Sequence, residues 1–562
     1  MMPRIFSKAY RIFRAGGFRG TYFALKRLRR TSHRDRLYTA WIAKYDTLTE
    51  DEREAIRQKI EDFDYQPLIS ILMPVYDVDE RYLRAAIESV RKQIYQNWEL
   101  CIADDKSPSP HVRRVLIEYA RNDDRIHVSF RDENGHISAA SNTALNMVQG
   151  EFTALMDHDD LLAEDALFQL AAAINKEPGA NLLYSDEDKI DTNGRRFQPM
   201  FKPDWSPEAF LSFNLLTHLC AFRTETLRDV GGFRLGFEGS QDYDLCLRFI
   251  ERIEDSSIVH IPLVLYHWRA IHGSVAFDSG EKTYAHERAR TAIREHYDRT
   301  CTKADVIKGR GELHRTILRL ETPPSVAVIA FGHTRCEFQL PFGGYNGAIK
   351  TILASEARVF SALEEAAKES KCEVIVFVDA GAEKASEKWL EELVSRAVQP
   401  GIGAVGGCVV DSKGKVLNGG YVLGIKEGLG RAHFGYDADD PGEFVRLAAD
   451  NNVSAVGIEF MAISRMSFDK AGGFDPDNTT NGLADVEVCL RLRKAGLRIV
   501  WTPWARMFTR SKPIVHEFEN VRNLASKYPE LFAKDPYYNP NLTLEAEDLS
   551  LAFPPRVRRI DP

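Results

Sequence analysis

The chain has 562 residues, of which 44% are hydrophobic and 28% charged, and its net charge is −8. At roughly 100–200 residues per domain, this length predicts at least two domains, and no run approaches the ~18–20 apolar residues that span a bilayer. The eight cysteines are scattered without a CxxC pair, which argues against a zinc site or a disulfide framework. Since the N-terminus also lacks the apolar region of a signal peptide, we expect a cytoplasmic protein.

The charge is distributed unevenly along the chain. Residues 1–36 hold eleven Lys and Arg against one acid, so the remainder carries −18. A nucleic-acid-binding protein is rarely acidic outside one short basic tail, and we expect no nucleic-acid partner. Aromatic and aliphatic residues alternate with these cations, a pattern that suits contact with an anionic membrane surface. The sequence therefore predicts a peripheral protein on the inner face of the cell membrane; a solvated tail or a docked helix is the alternative.

After this segment, the sequence predicts a helical extension over residues 37–66, in which Thr49 and Glu52 form a capping box. Strands and helices then alternate. The predicted strands cover 68–73, 98–103, 126–130 and 152–156, and the predicted helices cover 82–94, 111–121 and 138–147. This alternation is typical of an open α/β sheet, mostly parallel. In such sheets, ligands bind beyond the carboxyl ends of the strands.

The second half of the chain partly repeats the first. Three matches occur in the same order: Asp242–Arg248 with Asp485–Arg491, Gly231–Phe233 with Gly472–Phe474, and the apolar strands before Asp157 and Asp379. Collinear matches indicate a duplicated domain, and the join is expected in 300–324. The predicted divisions are a basic amphipathic tail at 1–36, the extension at 37–66, a first domain at 67–300, a second at 325–535 and a C-terminal tail at 536–562.

Acidic side chains follow two of the predicted strands. Asp157, Asp159 and Asp160 come directly after the fourth strand, where carboxylate oxygens suit Mg²⁺ or Mn²⁺ shared with phosphate oxygens. Asp104 and Asp105 end the second strand, where a carboxylate can accept a hydrogen bond from a base or a ribose hydroxyl. The alternative interpretations are an acidic turn for the first group and a helix cap for the second.

Three further positions carry candidate chemistry. Asn134 and Gly135 lead into the helix that carries Ser138 and Asn142, and backbone N–H groups at that helix start can face a phosphate. Asp242 opens a helix, where it is either a cap or a general base that takes a proton from an attacking hydroxyl. His267 follows an apolar run, as a metal ligand or a structural hydrogen-bonding group.

Together these motifs strongly resemble family 2 glycosyltransferases, and the order and spacing fit over about 67–275. The resemblance rests on Pro74–Tyr76, Ala103–Ser107, Glu133–Asn142, Met156–Asp160, Gly231–Phe233, Ser240–Asp244 and Tyr266–Arg269. It is greatest to bacterial enzymes of O-antigen and related surface-polysaccharide assembly. It implies the GT-A fold: a nucleotide-binding mixed sheet with helices on both faces.

The resemblance also implies a reaction, an inverting transfer of a glycosyl group from a nucleotide-diphosphate sugar to a hydroxyl of a glycan, which we expect to be lipid-linked. Asp242 would be the base, although the acid that commonly precedes that base is Gln241 here. The metal, Mg²⁺ or Mn²⁺, would be held by Asp157, Asp159 and His267. The donor would contact Pro74, Tyr76, Asp104, Asp105, Asn134, Gly135, Ser138, Asn142, Asp157 and Asp160.

The second domain resembles a degenerate copy of the same fold. Its counterpart of the acid cluster reads Asp379-Ala380-Gly381, with one acid, and Thr509 and Arg510 stand where relatives carry histidines. Three rival interpretations stay open for the chain: a two-site glycan polymerase with both domains active, a nucleotidyltransferase that makes the activated sugar, and a non-catalytic glycan-binding protein.

Overall fold

The structure is a computed structural model, and it describes residues 34–271, 283–332, 340–354, 360–474, 482–513 and 516–560. The basic segment predicted at 1–36 lies outside the described residues up to residue 33. In the first half, helices occupy 34–45 (α1), Glu50–Glu61 (α2), Glu80–Arg91 (α3), Pro110–Asn122 (α4), His136–Leu145 (α5), Ala166–Lys176 (α6), Pro207–Phe210 (α7), Thr224–Asp229 (α8), Gln241–Ile250 (α9) and Thr283–Arg299 (α10). The strands are Ile69–Val75 (β1), Trp98–Asp104 (β2), Ile126–Phe130 (β3), Phe152–Leu155 (β4), Leu161–Leu162 (β5), Leu182–Ile190 (β6), Arg196–Met200 (β7), Cys220–Arg223 (β8) and Ile258–Arg269 (β9).

These strands form one mixed sheet in the order β3-β2-β1-β4-β8-β6-β9-β5, with β7 paired to β6. Strands β3, β2, β1 and β4 are parallel, β8 runs antiparallel between β4 and β6, and β9 is parallel to β6. The carboxyl ends of β1, β2 and β4 therefore meet at one edge. The amino end of β8 lies at that same edge because β8 is antiparallel.

Helices cover both faces of this sheet. In β1, Ile69, Ile71 and Met73 pack into a core with side chains of α3, α4 and α6. Leu72, on the opposite face, packs into a second core with side chains of α5, α9 and α10. The alternation follows from the two-residue period of a strand, because successive side chains point to opposite faces. It confirms the predicted mixed sheet with a helix layer on each side.

The second half builds a second sheet. Its helices are Phe360–Ser370 (α11), Trp389–Ala397 (α12), Arg465–Lys470 (α13), Ala484–Lys494 (α14), Phe518–Lys527 (α15) and Pro529–Ala533 (α16). Before it comes the strand pair Ala304–Lys308 (β10) and His314–Leu318 (β11), and its own strands are Val326–Phe331 (β12), Ile349–Ala354 (β13), Val374–Asp379 (β14), Ala382–Ala385 (β15), Ile402–Asp411 (β16), Val416–Asn418 (β17), Asn451–Asn452 (β20), Phe460–Ser464 (β21) and Arg498–Thr509 (β22); Tyr421–Leu423 (β18) and Leu429–Arg431 (β19) form a separate pair.

The second sheet repeats the connectivity of the first. Its order β12-β14-β21-β16-β22-β15 matches β1-β4-β8-β6-β9-β5, with the same parallel and antiparallel directions at each step. One local contact is also repeated. The Arg248 guanidinium donates to the carbonyls of Val230 and Gly232, and Arg491 donates to the corresponding carbonyls of Ala471 and Gly473. The expectation of a second, related domain is confirmed.

The expected join at 300–324 contains the antiparallel pair β10–β11. This pair contacts both halves. The His314 N–H donates to the Ser212 carbonyl at 2.8 Å, and the Arg315 guanidinium pairs with Glu392 at 2.5 Å. The domain boundaries themselves stay predictions.

The C-terminal segment 536–560 packs on the first half of the chain. Asn539 donates to the Asp186 carboxylate at 2.8 Å, and Tyr538, Leu542 and Leu551 join a core that also contains Tyr38 of α1. Residues 536–562, predicted as a tail, thus include an integral part of the fold. Among the described residues, no helix is both long and apolar enough to span a membrane.

Candidate active site

The predicted strand-end acids lie at one edge of the first sheet. In the parallel register of β1 and β2, Val75 lies opposite Asp104, and in that of β1 and β4, Leu72 lies opposite Leu155, two residues before Asp157. The sheet thus brings the two groups of acids to the same edge, where ligands of open α/β sheets bind.

Asp105 joins the end of β2 to the start of α5. Its buried carboxylate accepts hydrogen bonds from Arg131 Nε at 2.8 Å and from the Gly135 N–H at 2.9 Å, and the Asn134 side chain donates to the Asp105 carbonyl at 3.1 Å. Asp104 accepts from the Ser107 N–H at 3.2 Å. Asp105, Asn134 and Gly135 are therefore brought together, with Asp105 already bonded to its own chain.

In the structure, Asn142 is half-buried and Ser138 is buried. The Asn142 amide accepts from the Phe233 N–H at 2.9 Å and donates to the Phe233 carbonyl at 2.7 Å. The Ser138 side chain has no exposed surface, and its hydroxyl has no partner among the described residues. Asn142 therefore holds the glycine-containing turn before Phe233, and Ser138 lies within α5. Their contacts with a donor stay predictions.

At the end of β1, Pro74 is buried and Tyr76 is 48% exposed. The Pro74 carbonyl lies 3.0 Å from His158 Nδ1, a hydrogen bond that ties β1 to the turn after β4. Tyr76 presents an open aromatic ring at the edge where the acids lie.

Two acids that follow β4 and a histidine that precedes β8 form a group that could hold a cation. Ligand atoms of Asp157, Asp160 and His218 all lie within 4.8 Å of one another. Tyr266 Oη donates to Asp160 at 2.7 Å, and the Arg269 N–H donates to the other Asp160 oxygen at 2.6 Å. Each carboxylate oxygen keeps a further lone pair. Two carboxylates and an imidazole are a donor set that fits Mn²⁺ or Mg²⁺.

Burial and mutual repulsion both act on the carboxylates of this group. Burial raises the pKa of Asp160 well above its ordinary value, and the charges of Asp159 and Asp157 raise it further. Burial also raises the pKa of Asp159, against the opposing charge of His158. Closely spaced buried carboxylates disfavour one another's ionisation, and a cation reverses that penalty.

His218 was not predicted from the sequence. In the antiparallel register, Thr153 lies opposite Phe222 and Ala154 opposite Ala221, and extending this register places His218 level with Asp157. The His218 ring stacks on Tyr266 with centroids 4.4 Å apart and an angle of 11°. A histidine directly before an apolar strand was the available signal. Only the sheet order shows that this strand lies beside β4.

Asp242 lies in the first turn of α9, partly buried. Asn214 donates to one Asp242 oxygen at 2.8 Å, and Gln241 accepts from the Gly239 N–H at 2.7 Å. Burial raises the pKa of Asp242; the His218 charge lowers it, and the Asp157 charge raises it. Asp242 therefore belongs electrostatically to the same site as Asp157 and His218. Asn214 was also missed, because nothing in its local sequence marks it.

The structure places His267 within β9, where it lies opposite Leu161 of β5. Strand β9 continues to Arg269, past the apolar run 258–265 after which the sequence places this histidine. Nδ1 of His267 lies 2.7 Å from Asp188, whose other oxygen pairs with Arg196 at 2.6 Å. Burial lowers the pKa of His267 and the Arg196 charge lowers it further, against the raising effect of Asp188. Among the described residues, neither His267 nor Asp159 belongs to the three-residue group, and their ligand roles stay predictions.

In the second sheet, the corresponding acids are bonded to their own chain. Asp379 accepts from Thr509 Oγ1 at 2.8 Å and from the Gly381 N–H at 2.9 Å. Asp485, the counterpart of Asp242, is 1% exposed and accepts from the Ile458 N–H at 2.9 Å. Among the described residues, Asp379 and Asp485 are thus both bonded to the chain itself.

Comparisons with known proteins identify the first half. Residues 70–230 match the family described as Glycosyl transferase family 2. The uncharacterized protein y4gI of Sinorhizobium fredii is 38% identical over 535 residues, which cover 87% of this chain and 59% of that protein. The O-antigen biosynthesis protein RfbC of Myxococcus xanthus is 31% identical over 554 residues, covering 92% of this chain and 43% of that protein. The chain thus spans about half the length of these curated relatives.

A solved structure, S. aureus TarS 1–349 in complex with UDP-GlcNAc, aligns with 41% of this chain and 72% of that chain, at 20% identity and a TM-score of 0.32. The family match covers the strand-end acids Asp104 and Asp157 together with His218, while Asp242 lies twelve residues beyond it. The match shows a family 2 glycosyltransferase domain at residues 70–230, which lies in the mixed sheet and includes part of its acidic edge.

Proposed function

We propose that the first domain transfers a glycosyl group, with inversion, from a nucleotide-diphosphate sugar to a hydroxyl of a glycan in bacterial surface-polysaccharide assembly. One observation carries the proposal. A carboxylate with a raised pKa, Asp242, shares an electrostatic environment with Asp157 and His218 at the ligand-binding edge of the sheet. The name of the Myxococcus relative, an O-antigen biosynthesis protein, supports the class of acceptor, and we take that acceptor to be lipid-linked.

In this proposal, Asp242 accepts the proton of the attacking hydroxyl. A raised pKa makes a carboxylate a stronger base, and the Asn214 amide fixes its orientation. Asp104 and the exposed Tyr76 ring lie where the nucleotide is expected, beside the loop that Asp105 holds in place. Pro74 supports this edge through its contact with His158.

Asp157, Asp160 and His218 would hold Mg²⁺ or Mn²⁺, which neutralises the charge of the departing diphosphate. Asp159 adjoins this group and contributes negative charge to it. The family resemblance instead names Asp159 and His267 as ligands beside Asp157. Comparing His218→Ala with His267→Ala separates the two ligand sets: we expect His218→Ala to weaken Mn²⁺ binding, measured by electron paramagnetic resonance of free Mn²⁺, by about 10-fold or more.

The function itself is tested by the product released. The purified chain, supplied with a panel of nucleotide sugars and with Mg²⁺ or Mn²⁺, is expected to release nucleoside diphosphate. Release of pyrophosphate from a nucleoside triphosphate and a sugar phosphate would instead identify a nucleotidyltransferase. Binding of a glycan without any nucleotide release would identify a non-catalytic binding protein.

We also propose that the basic segment attaches the protein to the inner face of the cell membrane. Each Lys or Arg near an anionic surface contributes about 1 kcal/mol, and residues 1–33 contain nine of them. The structure limits the deletion to residues 2–33, because Arg34 pairs with Glu443 at 2.6 Å. This deletion should move the protein from membranes to the soluble fraction. Unchanged partitioning would contradict the proposal.

A further inference from the structure

A fully buried lysine lies directly behind the candidate site. Lys202 has no exposed surface, and its Nζ donates to the His218 carbonyl at 2.6 Å. Its counter-ion is Glu187, 5% exposed, at 3.5 Å. The same Glu187 oxygen accepts a hydrogen bond from Thr217 Oγ1 at 2.8 Å. The pair therefore holds the residue before His218 by its side chain and His218 itself by its carbonyl.

What this segment positions is the His218 ring. The ring stacks on Tyr266, and its edge meets Trp268 at 5.6 Å between centroids. Tyr266 also donates to Asp160, so one aromatic residue touches two of the three members of the candidate cation group, His218 and Asp160. A shift of the 217–219 segment would separate the imidazole from Asp157 and Asp160.

The second domain shows whether this arrangement of strands needs the Lys202–Glu187 pair in order to form. In the second sheet, β16 pairs with β21 in the way that β6 pairs with β8 in the first. This pairing makes Val409 or Val410 the counterpart of Glu187. Gly420 is the counterpart of Lys202. Met200 pairs with Glu187 and Lys202 lies two residues after it; Asn418 pairs with Val409 in the second sheet, and Gly420 lies two residues after it. The same strand arrangement thus forms without the ion pair.

The counterpart of His218 is also absent from the second domain. In the second sheet, Ile375 lies opposite Ile463, and extending this register places Glu459 beside Asp379. Glu459 therefore stands where the first sheet has His218 beside Asp157. The copy that lacks the histidine also lacks the lysine and its glutamate. Burying an ammonium and a carboxylate is costly even when they pair, and the second domain forms the corresponding strands without that cost.

We propose that the Lys202–Glu187 pair is a positioning device for His218, fixing its imidazole against the acids of the donor site. The inference rests on the proposed function. Because the pair acts through His218, its removal should lower kcat and weaken Mn²⁺ binding only while His218 is present.

The test is a double-mutant cycle on the full chain. Lys202→Met combined with Glu187→Val removes both charges, so that no buried ion is left unpaired. This paired variant should lower kcat by about 10–100-fold, the usual effect of removing a group that orients a ligand, with a much smaller change in the KM for the donor. In a His218→Ala background, the same paired variant should change kcat less than about threefold, since coupled residues are not additive.

Arg396→Met provides the matched control for stability. Arg396 is a buried cation in α12 of the second half, where it pairs with Glu392 at 2.6 Å and with Asp450 at 2.9 Å. We expect it to lower the thermal midpoint and leave kcat unchanged. Losses of kcat that multiply between the paired variant and His218→Ala would overturn the proposal, as would an unchanged kcat in the paired variant.

A crystal structure of the paired variant separates this inference from the function on which it rests. We expect the His218 ring to leave its stack on Tyr266. A retained stack overturns the positioning role even if no donor is ever turned over. Absence of turnover in the wild-type chain, with the stack lost in the variant, would instead overturn only the proposed function.

Discussion

At the scale of single residues, Asp242 is the proposed general base, and we expect turnover to depend on it strongly. A general base acts only when deprotonated, so the raised pKa of Asp242 predicts that the rate falls as the pH is lowered through a value above the ordinary 3.8. Asp242→Asn should reduce kcat by roughly 10²–10⁴-fold, the usual contribution of a positioned base, with donor binding nearly unchanged. Steady-state kinetics and a donor-binding isotherm measure the two quantities.

Asp485→Asn is the matched control for this prediction. The Asp485 carboxylate accepts from the Ile458 N–H at 2.9 Å and from the Val486 N–H at 2.9 Å, so the substitution should lower stability and leave turnover unchanged. If Asp242→Asn instead weakens donor binding and spares kcat, Asp242 is a binding or capping residue.

The residues of the site differ in how far the sequence could predict them. Asp104 and Asp157 follow apolar strands, and strand ends are where an open sheet binds ligands, so a local pattern is enough. His218 and Asn214 become part of the site only because β8 lies antiparallel beside β4 and because α9 carries Asp242 toward Asn214. Such contacts depend on sheet order, which no local pattern contains.

At the scale of elements, the C-terminal segment is held to the first domain by a buried ion pair. Arg559 pairs with Asp46 and Asp165, whose side chains are 1% and 0% exposed. Removing Arg559 leaves Asp165 buried without its cation, although Asp46 keeps its pairing with Arg196. Breaking a buried pair in this way typically costs about 3–5 kcal/mol. Arg559→Met should therefore lower the free energy of unfolding by about that amount, measured by urea denaturation.

Arg510→Met controls for the loss of an arginine as such. Arg510 pairs with Glu383, but its side chain is 80% exposed. Exposed pairs contribute about 0–1 kcal/mol because water screens them. Equal effects of the two substitutions would show that the C-terminal segment adds little to the stability of the fold.

The contrast between the strands and this segment shows why elements differ in predictability. Strands β1, β2 and β4 are mostly apolar on both faces, so their burial is visible in the sequence. The segment 536–560 contains no regular helix or strand among its described residues. Its place is decided by partners far away in the chain, such as Asp186 for Asn539 and Asp46 for Arg559.

At the scale of the whole molecule, the two sheets share one architecture and differ at their edges. The first sheet brings Asp157, Asp160 and His218 together, whereas the second has Asp379 bonded to Thr509 and Gly381. The shared core joining α1, Phe201, Val422 and Leu551 packs the second half against the first. The second domain is therefore expected to support the first or to hold the growing glycan.

The second domain is accordingly expected to turn over no nucleotide sugar. A metal-assisted displacement needs acidic ligands and a place for the diphosphate, and Asp379, the counterpart of Asp157, already accepts two hydrogen bonds from its own chain. The full-length chain carrying both Asp157→Ala and Asp159→Ala should therefore lose all metal-dependent transfer with every donor tested. Thermal unfolding of this variant confirms that it is folded. Transfer that survives these two substitutions and then disappears on Asp485→Asn would identify a two-site polymerase, because that transfer would depend on the second domain's counterpart of Asp242.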